Sequence, residues 1–171
     1  YFGACMIKVL ILTMILVSSG YLGLAISNVY KSKLNFFKEL SNFTKNIKNE
    51  ISFIKTDTLT MIQKYQSNTA FGKFLKSYGD ALSQKKQLTI DDIKALIDAQ
   101  IYIEDAPKDA IANMFSELGN VGYIEQLERL SYLINYFEGI ERSGEDKAKK
   151  MMPFCKKMGF LMGLLVCIIL I

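Results

Sequence analysis

Two apolar runs lie near the ends of this chain, and a polar stretch of well over a hundred residues separates them. As a helix with about 1.5 Å rise per residue, the first run, residues 7–26, reaches about 30 Å, enough to cross the hydrocarbon core of a membrane. The second run, residues 158–171, reaches only about 21 Å, so it must lie untilted, thin the bilayer or pack against a partner. The pattern predicts transmembrane anchors in residues 1–29 and 158–171, with a central domain in residues 30–157.

Within the central domain, apolar residues recur every three or four positions, the spacing of an amphipathic helix. One stripe continues from the first anchor and consists of Phe37, Leu40, Phe43, Ile47, Ile51 and Ile54. Further stripes predict a short helix in residues 59–65 and longer helices at 71–82, after Thr89, from Pro107 and at 121–144. Pro153 is predicted to separate the bundle from the second anchor. The sequence therefore predicts an all-α fold, a single cytoplasmic helical bundle of about five to six helices between two transmembrane anchors.

Lysines flank the central domain on both sides, and their placement predicts its orientation. The two clusters are Lys31, Lys33, Lys38, Lys45 and Lys48, and Lys147, Lys149, Lys150, Lys156 and Lys157. By the positive-inside rule the central domain is cytoplasmic and both short ends lie across the membrane. The alternative is a signal peptide that ends near Gly20. The apolar run continues past Gly20 to Ile26, however, and basic residues follow at once, which favours an anchor.

Composition excludes several kinds of active site. The chain has no histidine, which excludes Ser-His-Asp and Cys-His systems and the HExxH zinc site. Cys5 lies at the N-terminal end, and a helix would separate Cys155 from Cys167 by about 18 Å, so neither a disulfide nor a metal cluster is indicated. The Gly72-Lys73 step lacks the other residues of a phosphate-binding loop.

Carboxylates are the remaining catalytic candidates. Asp91 with Asp92, or Glu138 with Glu141, could hold a magnesium ion. The simpler interpretation is that Thr89 to Asp92 form a capping box at a helix start, and that the two glutamates are ordinary surface residues. We therefore expect no catalytic residue, no metal site and no cofactor, and we predict that the protein is not an enzyme.

Charge is divided unevenly along the central domain. Residues 31–86 hold eleven lysines against four acids, net +7, and residues 91–146 hold four basic residues against thirteen acids, net −9. One interpretation is an acidic docking face for a basic partner, or a basic surface against anionic lipid headgroups. The alternative is that the two halves face each other and neutralise. Nucleic acid is not an expected partner, since basic and aromatic residues are not interleaved.

Glycines mark possible close contacts. Gly159 and Gly163 form a small-xxx-small step in the second anchor, which lets another helix approach closely. Together with Gly20 and Gly23 in the first anchor, they predict a contact between the anchors. The alternative is that they are common membrane-helix residues without a partner. In the central domain, Gly119 predicts a left-handed stop after a helix.

Four segments carry a resemblance to a known family. They are GYLGLAISNVY from residue 20, NEISFI from residue 49, LGNVGYIEQLERL from residue 118 and KKMGFLMGLLVCIILI from residue 156. Together they resemble the stage III sporulation protein AB family over nearly the whole chain from Met6. The most specific parts are the Leu118-Gly119 step with Gln126 and the C-terminal run around Gly159. The chain departs from the family at Gly122, where an aspartate is usual, and beside Pro153.

This resemblance implies a non-enzymatic scaffold in the cell membrane, in the complex that links mother cell and forespore during endospore formation. The family is similar to the cytoplasmic helical domains of platform protein F of type II secretion, which lie above a hexameric secretion-type ATPase. By that analogy the bundle, on the mother-cell side, couples the ATPase to other membrane subunits and the lipid bilayer. The expected partner-binding residues are Asp98, Glu104, Asp105, Asp109, Gly119 and Gln126. The alternative function is a membrane-anchored signalling or regulatory domain unrelated to a motor.

Overall fold

The structure, a computed structural model, describes residues 2–53, 60, 62, 65, 67–84, 88–118 and 123–170. These described residues form five helices, α1 (Phe2–Phe53), α2 (Ala70–Gln84), α3 (Ile90–Asp98), α4 (Asp105–Glu117) and α5 (Tyr123–Leu170). These described residues contain no strand, and the predicted all-α fold is confirmed. The helix predicted in residues 59–65 lies largely outside the described residues, and the stop predicted at Gly119 lies wholly outside them.

The long helix α5 continues where the sequence predicted an end. It runs without a break through residues 142–144 and includes Pro153 within its 48 residues. The helix end predicted in residues 142–144 is therefore wrong, and Pro153, which was predicted to separate the bundle from the second anchor, interrupts no helix. Residues 145–152 are mostly good helix formers, which carry the helix past Gly144. Pro153 has no N–H for the Lys149 carbonyl and its ring crowds that carbonyl, but helices that cross membranes accommodate such prolines where neighbouring groups satisfy the freed carbonyl.

The chain divides into two compact units. One unit combines residues 1–31 with residues 144–171, and we call it the hairpin unit because it joins the two apolar helix ends. The other, residues 32–143, is called the bundle. Residues 144–157, which the sequence pattern assigned to the central domain, fall in the hairpin unit.

Aromatic rings form the centre of the bundle. The buried rings are Phe36, Phe37, Phe43, Phe71, Phe74, Tyr78, Phe115 and Phe137. Phe115 of α4 stacks on Phe43 of α1 at 6.1 Å and meets Phe74 and Tyr78 of α2 edge-on at 5.1 and 4.9 Å. The Tyr78 hydroxyl also donates a hydrogen bond to the Phe115 carbonyl at 2.8 Å, and burial raises the pKa of Tyr78 to about 12. Three helices therefore meet at Phe115.

Polar side-chain contacts lie at the starts of two helices, one within four residues and one between distant parts of the chain. At α3 the Asp92 N–H donates to Thr89 Oγ1 at 3.2 Å and the Thr89 N–H donates to the Asp92 carboxylate at 3.1 Å, which confirms the predicted capping box. Before α2, Glu39 of α1 accepts hydrogen bonds from the Tyr65 hydroxyl at 2.9 Å and from Thr69 Oγ1 at 2.7 Å. Burial raises the pKa of Tyr65, and the hydrogen bond to Glu39 raises it further.

Replacing Phe115 by alanine tests the aromatic centre. We expect Phe115→Ala to lower the free energy of unfolding by about 3–5 kcal/mol, because it leaves a cavity among three helices. Tyr132→Ala is the control, since Tyr132 is 68% exposed and, among the described residues, its ring stacks on Tyr136 alone. We expect a loss of about 1 kcal/mol or less. Denaturant unfolding of the full chain in detergent measures both. Equal losses would contradict the assignment of Phe115 to the centre.

Candidate functional site

The four acidic residues predicted to dock a partner lie where α3 ends and α4 begins. Asp98 is the last residue of α3, Glu104 caps α4, and Asp105 and Asp109 lie in its first turns. Each is paired with a lysine, and we call these residues together the charged cluster. The N–O distances are 2.7 Å for Asp98–Lys108, 3.7 Å for Asp105–Lys108, 2.7 Å for Asp109–Lys94 and 2.6 Å for Glu104–Lys33.

Lys108 pairs with two acids of the charged cluster, Asp98 and Asp105. It is largely buried, because it precedes the buried residues Ile111, Ala112 and Phe115 at the three-, four- and seven-residue spacings of one helix face. The hydrogen bond to Asp98 raises the pKa of Lys108 despite the opposing effect of desolvation, so this lysine stays charged at neutral pH. Sequence reasoning missed Lys108. Its position on the apolar stripe of α4, three residues after Asp105, is the signal that could have found it.

The pairing changes the predicted charge pattern. The charged cluster holds four acids and three lysines, so its net charge is −1. Lys33–Glu104 and Lys45–Glu138, the latter at 2.7 Å, each join a lysine of the positive half to an acid of the negative half. Counted by compact unit, the bundle holds 14 basic and 15 acidic residues, and the hairpin unit holds 7 basic and 2 acidic residues. The net charge of the chain therefore resides in the hairpin unit.

Gln126, the sixth predicted partner-binding residue after Gly119, lies elsewhere in the bundle. It borders a cavity of about 20 Å³ between the end of α4 and the start of α5, with Glu117 and Arg129 beside it. That volume holds about one water molecule. Arg129 pairs with Glu117 and, at 3.4 Å, with Glu125, and the hydrogen bond to Glu117 raises the pKa of Arg129. Gly119 lies outside the described residues.

In the hairpin unit, α1 and α5 approach each other at three of the four predicted glycines. A Cβ atom added to Gly159 would lie 2.9 Å from the Ser19 carbonyl oxygen and 3.0 Å from the Gly23 Cα. One added to Gly23 would lie 2.8 Å from the Cys155 carbonyl oxygen, and one added to Gly163 would lie 3.0 Å from Ser19 Cβ. These backbones are close enough that a larger residue would force them apart. Gly20 has nothing within 4 Å, so it does not lie at this contact.

Two side chains add polar contacts between the same helices. Ser19 Oγ donates a hydrogen bond to the Gly159 carbonyl, and Cys167 Sγ donates one to the Leu12 carbonyl at 3.5 Å. Sequence reasoning did not assign either side chain to a contact between the helices. Ser19 lies four residues before Gly23 and Cys167 four residues after Gly163, so an extended search for small residues at this spacing would have found both.

The outer surface of the hairpin unit is apolar. Val17, Tyr21 and Ile169 are each at least 70% exposed, and exposed apolar surfaces of this extent mark a membrane or a partner. Both long helices contain a window long and apolar enough to cross a membrane. Only 11% and 6% of these windows is buried, whereas the core helix of a soluble protein is mostly buried.

No group of three or more possible metal ligands occurs in the part of the chain that the structure describes. Cys155 and Cys167 are both free thiols.

The sequence matches the family described as stage III sporulation protein AB over residues 8–171. The chain belongs to this family. The match includes both apolar helix ends and the whole bundle, and it makes the chain a sporulation-related protein. The resemblance found from the four sequence segments is therefore confirmed. No curated protein and no solved structure matches the chain.

A disulfide tests the contact between the helices of the hairpin unit. With the native cysteines replaced by alanine, Ser19→Cys with Gly163→Cys should form an intramolecular disulfide, because their Cβ atoms lie close together. Adding Gly159→Leu should abolish the disulfide by separating the backbones, whereas adding Gly20→Leu should leave it intact. After protease cleavage within residues 32–143, non-reducing electrophoresis shows whether the fragments remain joined. Equal disulfide yields with both leucines would contradict the contact.

Acid should weaken the Lys45–Glu138 pair. The hydrogen bond to Lys45 lowers the pKa of Glu138 from its usual 4.5, so the pair stabilises the fold above that pH and loses its effect as the pH falls through the lowered pKa. Lys45→Gln should therefore reduce stability at pH 7, and its deficit should shrink as the pH falls below 4.5.

Denaturant midpoints of the full chain in non-ionic detergent, measured across this pH range, test the prediction. Lys38→Gln is the control, because Lys38 is exposed and forms no ion pair with the described residues. Its stability should follow that of the intact chain at every pH. A Lys45→Gln deficit that does not change with pH would contradict the role of Glu138.

Proposed function

We propose that this chain is a non-enzymatic membrane scaffold of the complex that links mother cell and forespore during sporulation. In this role the hairpin unit anchors the chain in the cell membrane and contacts other membrane subunits. The bundle lies in the mother-cell cytoplasm and couples a secretion-type ATPase to those subunits.

The family match over residues 8–171 carries this proposal. It includes both apolar helix ends as well as the bundle, so both parts of the chain fall within the family. The similarity of the family to the cytoplasmic domains of platform protein F supports a position above a hexameric ATPase, by analogy of fold. A scaffold role needs no catalysis by this chain.

The exposed apolar surface of the hairpin unit supports membrane anchoring, and the lysines support the orientation. Six of the seven basic residues in the hairpin unit are lysines at positions 31 and 147–157. Lys31 follows the first apolar run and the other five precede the second, so all six lie at the ends of the runs that lead into the bundle. The positive-inside rule then predicts a cytoplasmic bundle.

The charged cluster is the part of the bundle that we propose as the ATPase contact. Its carboxylates are held by lysines yet remain open to solvent, with the Asp105 side chain 97% exposed and that of Glu104 64% exposed. A surface of alternating charges recognises a partner by the positions of complementary charges more than by net attraction. Asp105 is the best probe, because it is the most exposed carboxylate and its 3.7 Å contact with Lys108 is the longest in the cluster.

Capture of the purified ATPase by the full chain in detergent tests the proposal. We expect Asp105→Lys to weaken capture roughly tenfold, because it places a like charge against a basic partner. A charge swap, Lys94→Asp with Asp109→Lys, should also weaken capture while retaining the pair inside the chain. Glu128→Lys on α5 is the control, since Glu128 is exposed and lies outside the charged cluster. Unchanged capture by the first two variants would exclude this surface as the contact.

The same variants can be scored in the native host by counting heat-resistant spores. Deletion of the gene should cause a large loss that the intact gene restores and the Asp105→Lys gene does not. Normal spore numbers after deletion, or no ATPase capture by the intact chain, would contradict the scaffold role and favour a signalling domain.

A further inference from the structure

The contacts in the hairpin unit define the register of two antiparallel helices. Leu12 contacts Cys167, Ser19 contacts both Gly159 and Gly163, and Gly23 lies between Cys155 and Gly159, in contact with both. In each pair the two residue numbers sum to about 180, which is the signature of antiparallel pairing of two helices with equal rise. The register therefore places Lys149 level with Lys31, and Lys157 level with Gly23.

Five of the seven lysines of the hairpin unit consequently form two layers. Lys31, Lys149 and Lys150 form the outer layer, at the level where charged residues resume on α1 after its apolar run. Lys156 and Lys157 form the inner layer, seven residues further along α5 and so about 10 Å beyond the outer layer. On α1 no charged residue occurs between Lys8 and Lys31, so the inner layer lies beside an uncharged and mostly apolar stretch.

The inner layer has no carboxylate to neutralise it. α1 has no acidic residue before Glu39, and α5 has none after Asp146. Asp146 lies ten residues before Lys156, about 15 Å along the helix, beyond the reach of an ion pair. Both lysines are exposed, and neither forms an ion pair with any described residue. A charge held beside an apolar surface needs an anion from outside the chain.

Helix geometry points both side chains toward the outer layer. Side chains in an α-helix tilt toward its N-terminus, and α5 runs from the outer layer toward the inner layer. The long lysine stems can therefore lie along the apolar surface while the ammonium groups reach back toward the headgroup region. The anion at that depth of a bilayer is the phosphate of a phospholipid.

We propose that Lys156 and Lys157 bind the phosphate of anionic phospholipid and draw it below the plane set by the outer lysines. This inference rests on the proposed membrane anchoring and adds a specific lipid partner to it. Anionic lipid then supplies the counter-charge that the sequence does not, and the bilayer is locally thinned beside α5.

Lipid selectivity of the full chain tests the inference. The chain is reconstituted in phosphatidylcholine vesicles that contain spin-labelled phosphatidylglycerol or spin-labelled phosphatidylcholine, and the protein-associated fraction of each is measured by electron paramagnetic resonance. We expect the intact chain to prefer phosphatidylglycerol roughly fivefold. Lys156→Gln with Lys157→Gln should reduce the preference to near one, and Lys156→Arg with Lys157→Arg should keep it.

Lys149→Gln with Lys150→Gln is the matched control, with the same loss of charge from the outer layer. At about 1 M salt, where the Debye length is about 3 Å, the outer lysines are screened and the remaining preference should depend on the inner pair alone. Inorganic phosphate at matched ionic strength should not displace the lipid. The inference would be overturned if inorganic phosphate displaced the lipid or if both glutamine pairs lost the same preference. It would also be overturned if the intact chain showed no preference, which would leave a carboxylate of another membrane subunit as the partner of the two lysines.

Flotation with pure phosphatidylcholine vesicles, followed by alkaline extraction, separates this inference from the proposed function. A chain that floats and resists extraction but shows no lipid preference retains its anchoring and overturns only the lipid site. A chain that fails to float contradicts the anchoring itself.

Discussion

The two long helices pack by one physical force in the bundle and by another in the hairpin unit, and the rest of the structure depends on that difference. In the bundle, α1 buries large rings such as Phe36 and Phe43, since removing apolar surface from water drives association there. In the hairpin unit the same helix presents Ser19 and Gly23 to its partner and leaves its large apolar residues exposed. In lipid, which is as apolar as those residues, only close backbone approach and hydrogen bonds favour helix contact.

The sequence reveals those features that depend on neighbouring residues. The Thr89 capping box is complete within four residues, and the stripes of α1, α2 and α4 need only the helical period. Helix ends and rotations are harder to derive. Nothing local stops α5 at Gly144, because the residues that follow favour helix as strongly as those before it. Relative to Gly23, Ser19 is rotated by about 40° and Gly20 by about 60° on the opposite side, and only the partner helix selects between them.

The distribution of charge is also only partly predictable from the sequence. Counted along the chain, the central domain divides into a positive and a negative half, which indicates an acidic docking face. In three dimensions Lys33 and Lys45 reach acids of the other half, and Lys108 carries a charge on the buried face of α4. The charged cluster is therefore nearly neutral. A partner that binds it must match alternating charges, which demands a defined orientation and suits a coupling role better than bulk attraction.

Neutralisation within the bundle leaves the excess positive charge in the hairpin unit, with seven basic residues against two acids. In the bundle, Lys33, Lys45, Lys94 and Lys108 each pair with an acid of the same unit. The unpaired lysines beside the apolar helices therefore require a different explanation. Membrane orientation accounts for the outer layer, because lysines at that level need only water and headgroups. Lys156 and Lys157 also count toward the orientation, but orientation does not explain their depth, because a lysine about 10 Å nearer the surface would serve it equally well and would be easier to solvate. A lipid phosphate drawn to their depth supplies the missing anion.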